Sequence, residues 1–240
     1  TGSNIDNFLG SANLYDAVLK DNGKQLSFDS LAVISTFIDG KKLLTVATNE
    51  LDASISGDFK ILKLPEAFQL FLSKYYPAYI NKLKENVENQ EFTFNVSTKN
   101  VSDYINLFDK RLTGFDNSVI SGNINIGENA LSLQANIPNF NYSNISFDNT
   151  EFTGTGTKDT LTLLGEIDDV IINDSLHSPD AKLKIVAAND ISDITINATG
   201  NKTLSHADLS ARVTTKKNGF NLVFNPSTFT INQKQWHIEK

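Results

Sequence analysis

The sequence predicts a mainly β protein, a long antiparallel meander with one short helical insertion. Three observations carry this. Most of the 240 residues alternate apolar and polar with period two, which leaves one apolar face per strand. Turn dipeptides such as Asn22-Gly23, Asp39-Gly40 and Asn218-Gly219 punctuate the alternation. Only residues 64–112 break the rhythm, with apolar residues spaced at three and four.

The elements follow in order. In "DAVLKDNGKQLSFD" a turn at Asn22-Gly23 sets Leu19 opposite Leu26 and Ala17 opposite Phe28, and directly paired residues of a hairpin share a side. Asp39-Gly40 marks another hairpin, with strands apolar on both faces. The stretch 64–89 then has helical spacing in Phe68, Phe71 or Leu72, Tyr75, Tyr79 and Leu83. Pro65 and Glu66 suit a first helical turn, and Pro77 should kink or split the helix before Tyr76. A second helix is expected over 101–112 with Ser102 as N-cap.

Strands return near 122–126, 130–137, 143–147, 151–157, 161–167, 181–188, 191–198 and 203–215. In "LSARVTTKKNGFNLVFNP" a type I′ turn at Asn218-Gly219 sets Thr215 opposite Leu222 and Val213 opposite Phe224. The closing "STFTINQKQWHIEK" folds about Gln233-Lys234, with Ile231 opposite Trp236 and Phe229 opposite Ile238. Roughly fifteen strands at ~4.8 Å each make a sheet about 70 Å along its stacking direction, which must twist and curl. Closure as a barrel, splitting into a sandwich and folding lengthwise into a trough all fit this pattern. The domain expectation is one elongated β unit over 1–240 with the helix-containing insertion at 64–112.

Composition narrows the function. Lys and Arg number 21 against 28 Asp and Glu, a net charge of −7, and the basic residues are scattered, which speaks against nucleic acid. No apolar run approaches the ~20 residues of a membrane span. Cysteine is absent, so there is neither a disulfide framework nor a thiolate metal site. Methionine is absent too and the chain opens "TGS", so the expectation is a piece of a longer protein with any anchor outside it.

No catalytic, cofactor or metal motif is visible. His177, His206 and His237 are far apart in polar sequence, and no nucleophile elbow or phosphate-binding glycine loop occurs. The best acidic candidate is "EIDDVIINDSLHSPD", where Glu166, Asp168, Asp169, Asp174, His177 and Asp180 share a turn-rich stretch without the spacing or central glycine of a calcium loop. Asn-X-Ser/Thr sequons, including Asn95, Asn144 and Asn197, occur at the density an Asn-rich chain gives by chance. The expectation is that the protein is not an enzyme.

The combination of "LDASISGDFKILKLPEAFQLFLSKYYPAYI" with "STFTINQKQWHIEK" resembles the TamB family of envelope proteins. The shared pattern is a strand ending in Gly-Asp-Phe that runs into a Leu-Pro helix bearing "YYP", plus a late hairpin of strand, turn, Trp and strand. "KQLSFDSLAVIST" fits the same cadence, while "NQKQ" departs from the glycine that relatives often carry at the turn. The resemblance implies a periplasmic segment of a bridge-like lipid transfer protein. Its sheet would fold into a U-shaped trough, with an inner-membrane anchor outside this chain. The implied partners are phospholipid and, through the rest of the protein, a BamA-like or TamA-like outer-membrane barrel.

On that reading the alternating apolar residues line a groove. They are Leu131, Leu133 and Ile137, then Leu161 and Leu163, Leu183 and Ile185, and Ile194 and Ile196. The lining continues through Leu209 and Val213, Leu222 and Phe224, Phe229 and Ile231, and ends at Trp236 and Ile238. Phe68, Phe71, Tyr75 and Tyr79 of the helix either cover this groove or form an ordinary core face. Trp236, the single tryptophan, either extends the lining or seals a solid sandwich. A scaffold for β-barrel precursors working by strand augmentation is the alternative function. A carbohydrate-binding β protein with its contacts in surface loops is the third.

Overall fold

The computed structural model describes residues 5–21, 24–80, 89–173, 176–200 and 204–239. Its first strands are β1 (Gly10–Asp21), β2 (Lys24–Ile38), β3 (Lys41–Thr48) and β4 (Leu51–Asp58). A helical insertion follows with α1 (Leu64–Ser73), then β5 (Glu91–Thr98), α2 (Ser102–Phe108) and β6 (Leu112–Gly114). The long strands are β7 (Val119–Asn125), β8 (Ala130–Tyr142), β9 (Ile145–Gly156), β10 (Leu161–Asn173) and β11 (Leu176–Ala188). The chain closes with β12 (Ile191–Thr199), β13 (Leu204–Lys216), β14 (Gly219–Phe224), β15 (Ser227–Ile231) and β16 (Lys234–Ile238). All sixteen form one open antiparallel sheet in nearly sequential order, with β6 beside β8 and β14 beside the far half of β13.

Register builds one continuous apolar face, the inner face. The row Gly57, Phe92, Ile124, Leu131, Gly156 and Leu161 runs strand to strand along one rim and continues through Ala187 and Ser192. Along this rim lies α1, whose Ala67 and Phe71 are buried against Phe92, Ile124 and Ile126 together with Tyr75 just past the helix. The packing requires curvature. From β4 to β12 the sheet crosses seven inter-strand gaps, about 34 Å if flat, whereas the ten residues of α1 span only about 15 Å. Yet the helix region packs on Ile55 of β4 and bonds Ser192 of β12 through Tyr76. Glycines on the concave side permit the curl: Gly156 lies beneath Phe71, and Gly165 beneath the ring of Phe152.

A second bend runs across the middle of the long strands. Asn149 and Asp180 hold φ of 46° and 55°, and in register they fall level with Pro138 and Asp168. A left-handed residue inside a strand breaks the pleat. Side-chain alternation therefore inverts: Ile167 and Val170, three apart, pack in the same cluster, which also holds Phe147. Phe140 stacks on Phe147 with ring centres 4.6 Å apart. The row beside the bend is small from β11 to β13, where Ala181, Ala198 and Ala207 are buried, and Thr150 is buried between Ile137 and Ile167. The sheet is thus a trough with two walls. Where β3, β4, β5 and β7 are short, α2 and β6 fill the second wall; Tyr104 of α2 stacks on Phe28 of β2 at 5.7 Å.

Several expectations are corrected. The last two hairpins pair two residues away from the expected register. Asn232 and Gln233, with φ of 49° and 62°, make the final turn, so Phe229 opposes Trp236 and Ile231 opposes Lys234. Asparagine tolerates the left-handed region where lysine does not, which pulls the turn toward Asn232. Likewise Val213 opposes Leu222, and Ala211 opposes Phe224, giving the large ring a small partner. A slip of two leaves every side chain on its original face. The strands expected at 143–147 and 151–157 are one, β9, since Asn149 kinks a strand without ending it. The acidic stretch from Glu166 is no turn-rich loop but the paired arms of β10 and β11. The helix at 64 ends at Ser73, earlier than Pro77, and α2 is shorter than 101–112. Ser102 does not cap α2: its Oγ accepts from Gly114 N, while Asp116 Oδ1 accepts from the N–H groups of Val101 and Ser102. The Asn22-Gly23 turn, Leu83 and Asp174 lie outside the described residues, although Leu19 pairs with Leu26 as expected.

A Cβ on Gly156 would come 2.6 Å from Phe71 Cζ, 3.0 Å from Leu131 Cβ and 3.1 Å from the Tyr75 hydroxyl. Phe71 is buried and cannot yield without lifting α1. Gly156→Val should therefore lower stability by about 1–3 kcal/mol, the usual cost of overpacking. Denaturant unfolding followed by circular dichroism checks this, and the Phe71→Ala background should recover part of the loss.

Candidate functional site

The candidate site is the inner face itself, because the apolar residues of every long strand converge there. Beneath the rim a second row runs Phe94, Gly122, Leu133, Gly154, Leu163 and Ile185, then Ile194, Ala211 and Phe224. A third passes through Ala135, Phe152, Gly165, Leu183, Ile196 and Leu209. The fourth, beside the bend, holds Ile137 and Ile167 and ends with Phe229 opposite Trp236. Register thus gathers Leu131, Leu161, Val213 and Leu222 on the rim row with the other lining candidates on the rows below. Ile231 and Ile238 fall on the same side as their neighbours two residues away.

Burial along this face is uneven. Ile124, Ile137 and Ile167 are buried, whereas Leu133, Leu163, Ile185 and Ile194 are only half-buried. At the C-terminal end the same face is open: Leu222 is 45% exposed, Phe224 48% and Trp236 47%. A solid sandwich would bury these large side chains almost completely. Lys234 Nζ sits 4.6 Å from the centre of the Trp236 ring, a cation–π contact at the edge of the sheet.

The helix region closes the rim between β4 and β12, and Tyr75 is its pivot. Phe71 and Tyr75 are each 1% exposed. The Tyr75 hydroxyl donates to Thr157 O at 2.5 Å and accepts from Asn129 Nδ2 at 2.8 Å, which also donates to Thr157 O. Asp190 N donates to Tyr75 O at 2.7 Å, and the Asp190 carboxylate in turn accepts from Ala78 N. Tyr76 and Ser192 join their hydroxyls at 3.0 Å. Of the cover candidates, Phe71 and Tyr75 lie against the inner face. Phe68 meets Phe92 edge-on at 6.2 Å but is partly exposed, and Tyr79 is largely exposed. The tether residues Asn129, Thr157 and Asp190 were invisible to sequence reasoning, because each sits in a turn whose partner is a helix far away in the chain.

The remaining polar candidates stay apart from the groove. His177 Nδ1 lies 3.3 Å from Asp169 Oδ2, a half-exposed cross-strand pair. Among the described residues no three His, Asp or Glu side chains converge on a metal-sized site, and no helix is long and apolar enough to cross a membrane.

Comparison with protein-family models, with curated proteins and with solved structures returns no match.

Burial pushes the Tyr75 phenol above its usual range, with its two hydrogen bonds opposing. A raised pKa means the folded state holds the proton more tightly, so this stabilisation is full below the unfolded value of about 10 and is lost as pH rises through the folded value. Tyr75→Phe should cost about 0.5–1.5 kcal/mol near neutrality, the net worth of one hydrogen bond, because Asn129 still donates to Thr157 O. It should also shrink, but not abolish, the alkaline loss of stability, because burial raises Tyr104 as well. Unfolding free energies measured on both sides of that pH range check both statements.

Proposed function

We propose that this chain holds lipid acyl chains on its inner face, as a segment of a periplasmic bridge along which phospholipid moves between membranes. One observation carries the reading: a single predominantly apolar face runs from β4 to β16, and it becomes exposed instead of packed beyond the reach of α1. An acyl chain of ~15 methylenes exposed to water costs about 12 kcal/mol at ~0.8 kcal/mol per CH₂. A continuous apolar trough lowers that barrier by exchanging one apolar surrounding for another. The work needs shape and register, with no bond made or broken. The resemblance to the TamB family supports the same reading through the helix and the tryptophan hairpin.

The scaffold reading is favoured by a different feature. β14 and β15 are two halves of one line of pairing on β13, interrupted at Asn225-Pro226. β16 pairs only with the β15 half. Among the described residues β14 therefore has a free edge of six exposed residues, the geometry that accepts an added strand.

Photo-crosslinking in cells separates the two. A photoreactive amino acid replaces Leu133 or Leu222 on the inner face and Gln134 or Asn221 on the outer face. Phospholipid captured from the inner positions and absent from the outer ones is expected. Lipid at neither face, with adducts of barrel precursors at Asn221, would replace the lipid reading with the scaffold.

A further inference from the structure

The outer face of the first wall carries a pattern that an apolar groove does not need. Two adjacent outward rows are made only of neutral hydrogen-bonding side chains. One runs Ser54, Asn95, Ser121, Gln134 and Thr153 in direct register across β4, β5, β7, β8 and β9. Its neighbour runs Ser56, Thr93, Asn123, Ser132 and Thr155 across the same strands. Charge begins immediately on both sides: Asp58 opposes Glu91 in the row above, and Asn136, Glu151 and Glu166 stand in sequence in the row below. Farther along the same outer face the residues are charged and paired, as in Lys182 with Glu166 and Arg212 with Asp193. Ten neighbouring outward positions thus carry no charge, with carboxylates in the rows above and below and Leu43, Thr45, Thr162 and Leu164 at the two ends.

The strip is also locally hollowed, and its polar groups are turned to solvent. It holds a depression of about 420 Å³ over β4, β5, β7 and β8; a second, of about 340 Å³ over β7 to β9, shares Ser121 and Gln134 but runs off the strip onto Val119, Asn136 and Glu151. Among the described residues the ten side chains make one hydrogen bond to protein, Thr93 Oγ1 to Ser56 O at 3.4 Å. Their donors and acceptors point outward from a rigid backbone, spaced about 4.8 Å apart across strands. Hydroxyl and amide groups both donate and accept, which matches a ligand dense in hydroxyl and acetamido groups and lacking charge.

We infer that this strip binds a neutral oligosaccharide. An anion finds no cation there, and an apolar chain would strip water from ten polar groups without return. The site is on a sheet face and not in loops, and it is independent of the lipid reading because it uses the opposite side of every strand.

Saturation-transfer NMR on the protein with chitotetraose and with maltotetraose tests it. Transfer to either sugar is expected, weakened at least fivefold by Gln134→Lys and by Asn95→Ala and unchanged by Lys184→Gln in the charged part of the face. Unfolding midpoints matched to the parent protein keep the variants interpretable, as all three positions are exposed. No transfer to either sugar at millimolar concentration overturns the inference, and so does transfer that the two strip variants leave intact.

Discussion

In an antiparallel sheet the two residues of a direct pair stand on the same side, and everything else in this molecule depends on that constraint. Once Leu131 is inward, Gly156, Leu161, Ala187 and Ser192 are inward too, one strand after another. From β4 to β16 the strands then share one largely apolar face that must be covered, curled or left in use. The protein does all three. Its helix covers the rim from β4 to β12, tied at Tyr75. The inward glycines and the Ala181, Ala198 and Ala207 row let the sheet fold on itself. Past β13 the face stays open.

Polarity is partitioned as strictly as burial. Inner rows are mainly aliphatic and aromatic, interspersed with glycines such as Gly122, Gly154 and Gly156, and turn small at Ala181, Ala198 and Ala207 along the fold line. Outer rows carry a neutral polar strip over β4 to β9 and paired charges farther along, with Leu164 and Val223 exposed among them. The two faces therefore present different chemistry to their surroundings while sharing each backbone. A change of register by one residue would exchange them, which is why the pairing has to be specified so heavily.

Much of this was legible in the sequence, for reasons that also explain what was not. Alternation in "ALSLQANI" and "AKLKIVAA" identifies the inner residues because parity is a local property. The two late hairpins show how robust parity is: their registers moved by two residues, yet Trp236 and Phe224 kept their face. The central bend was hidden, since Asn149 and Asp180 are turn formers and read as strand ends, although each sits mid-strand at positive φ. The aromatic spacing of α1 announced a buried stripe, but its destination depends on Asn129, Thr157 and Asp190, fixed by contacts across more than fifty residues. Ser102 had the composition of a cap, and Asp116, brought near by the return of the chain, supplies that function instead.

If the open end of the inner face takes up acyl chains, the single tryptophan reports on that position directly. Trp236 emission should be measured with phosphatidylcholine bearing brominated acyl chains and with the same lipid unbrominated. A lipid-holding groove predicts saturable quenching by the brominated lipid, and a blue shift without quenching for the other, as the half-exposed indole leaves water for hydrocarbon. Identical emission with both lipids, at concentrations where either is in excess, would mean that no acyl chain reaches Trp236 and would contradict the lipid-holding groove.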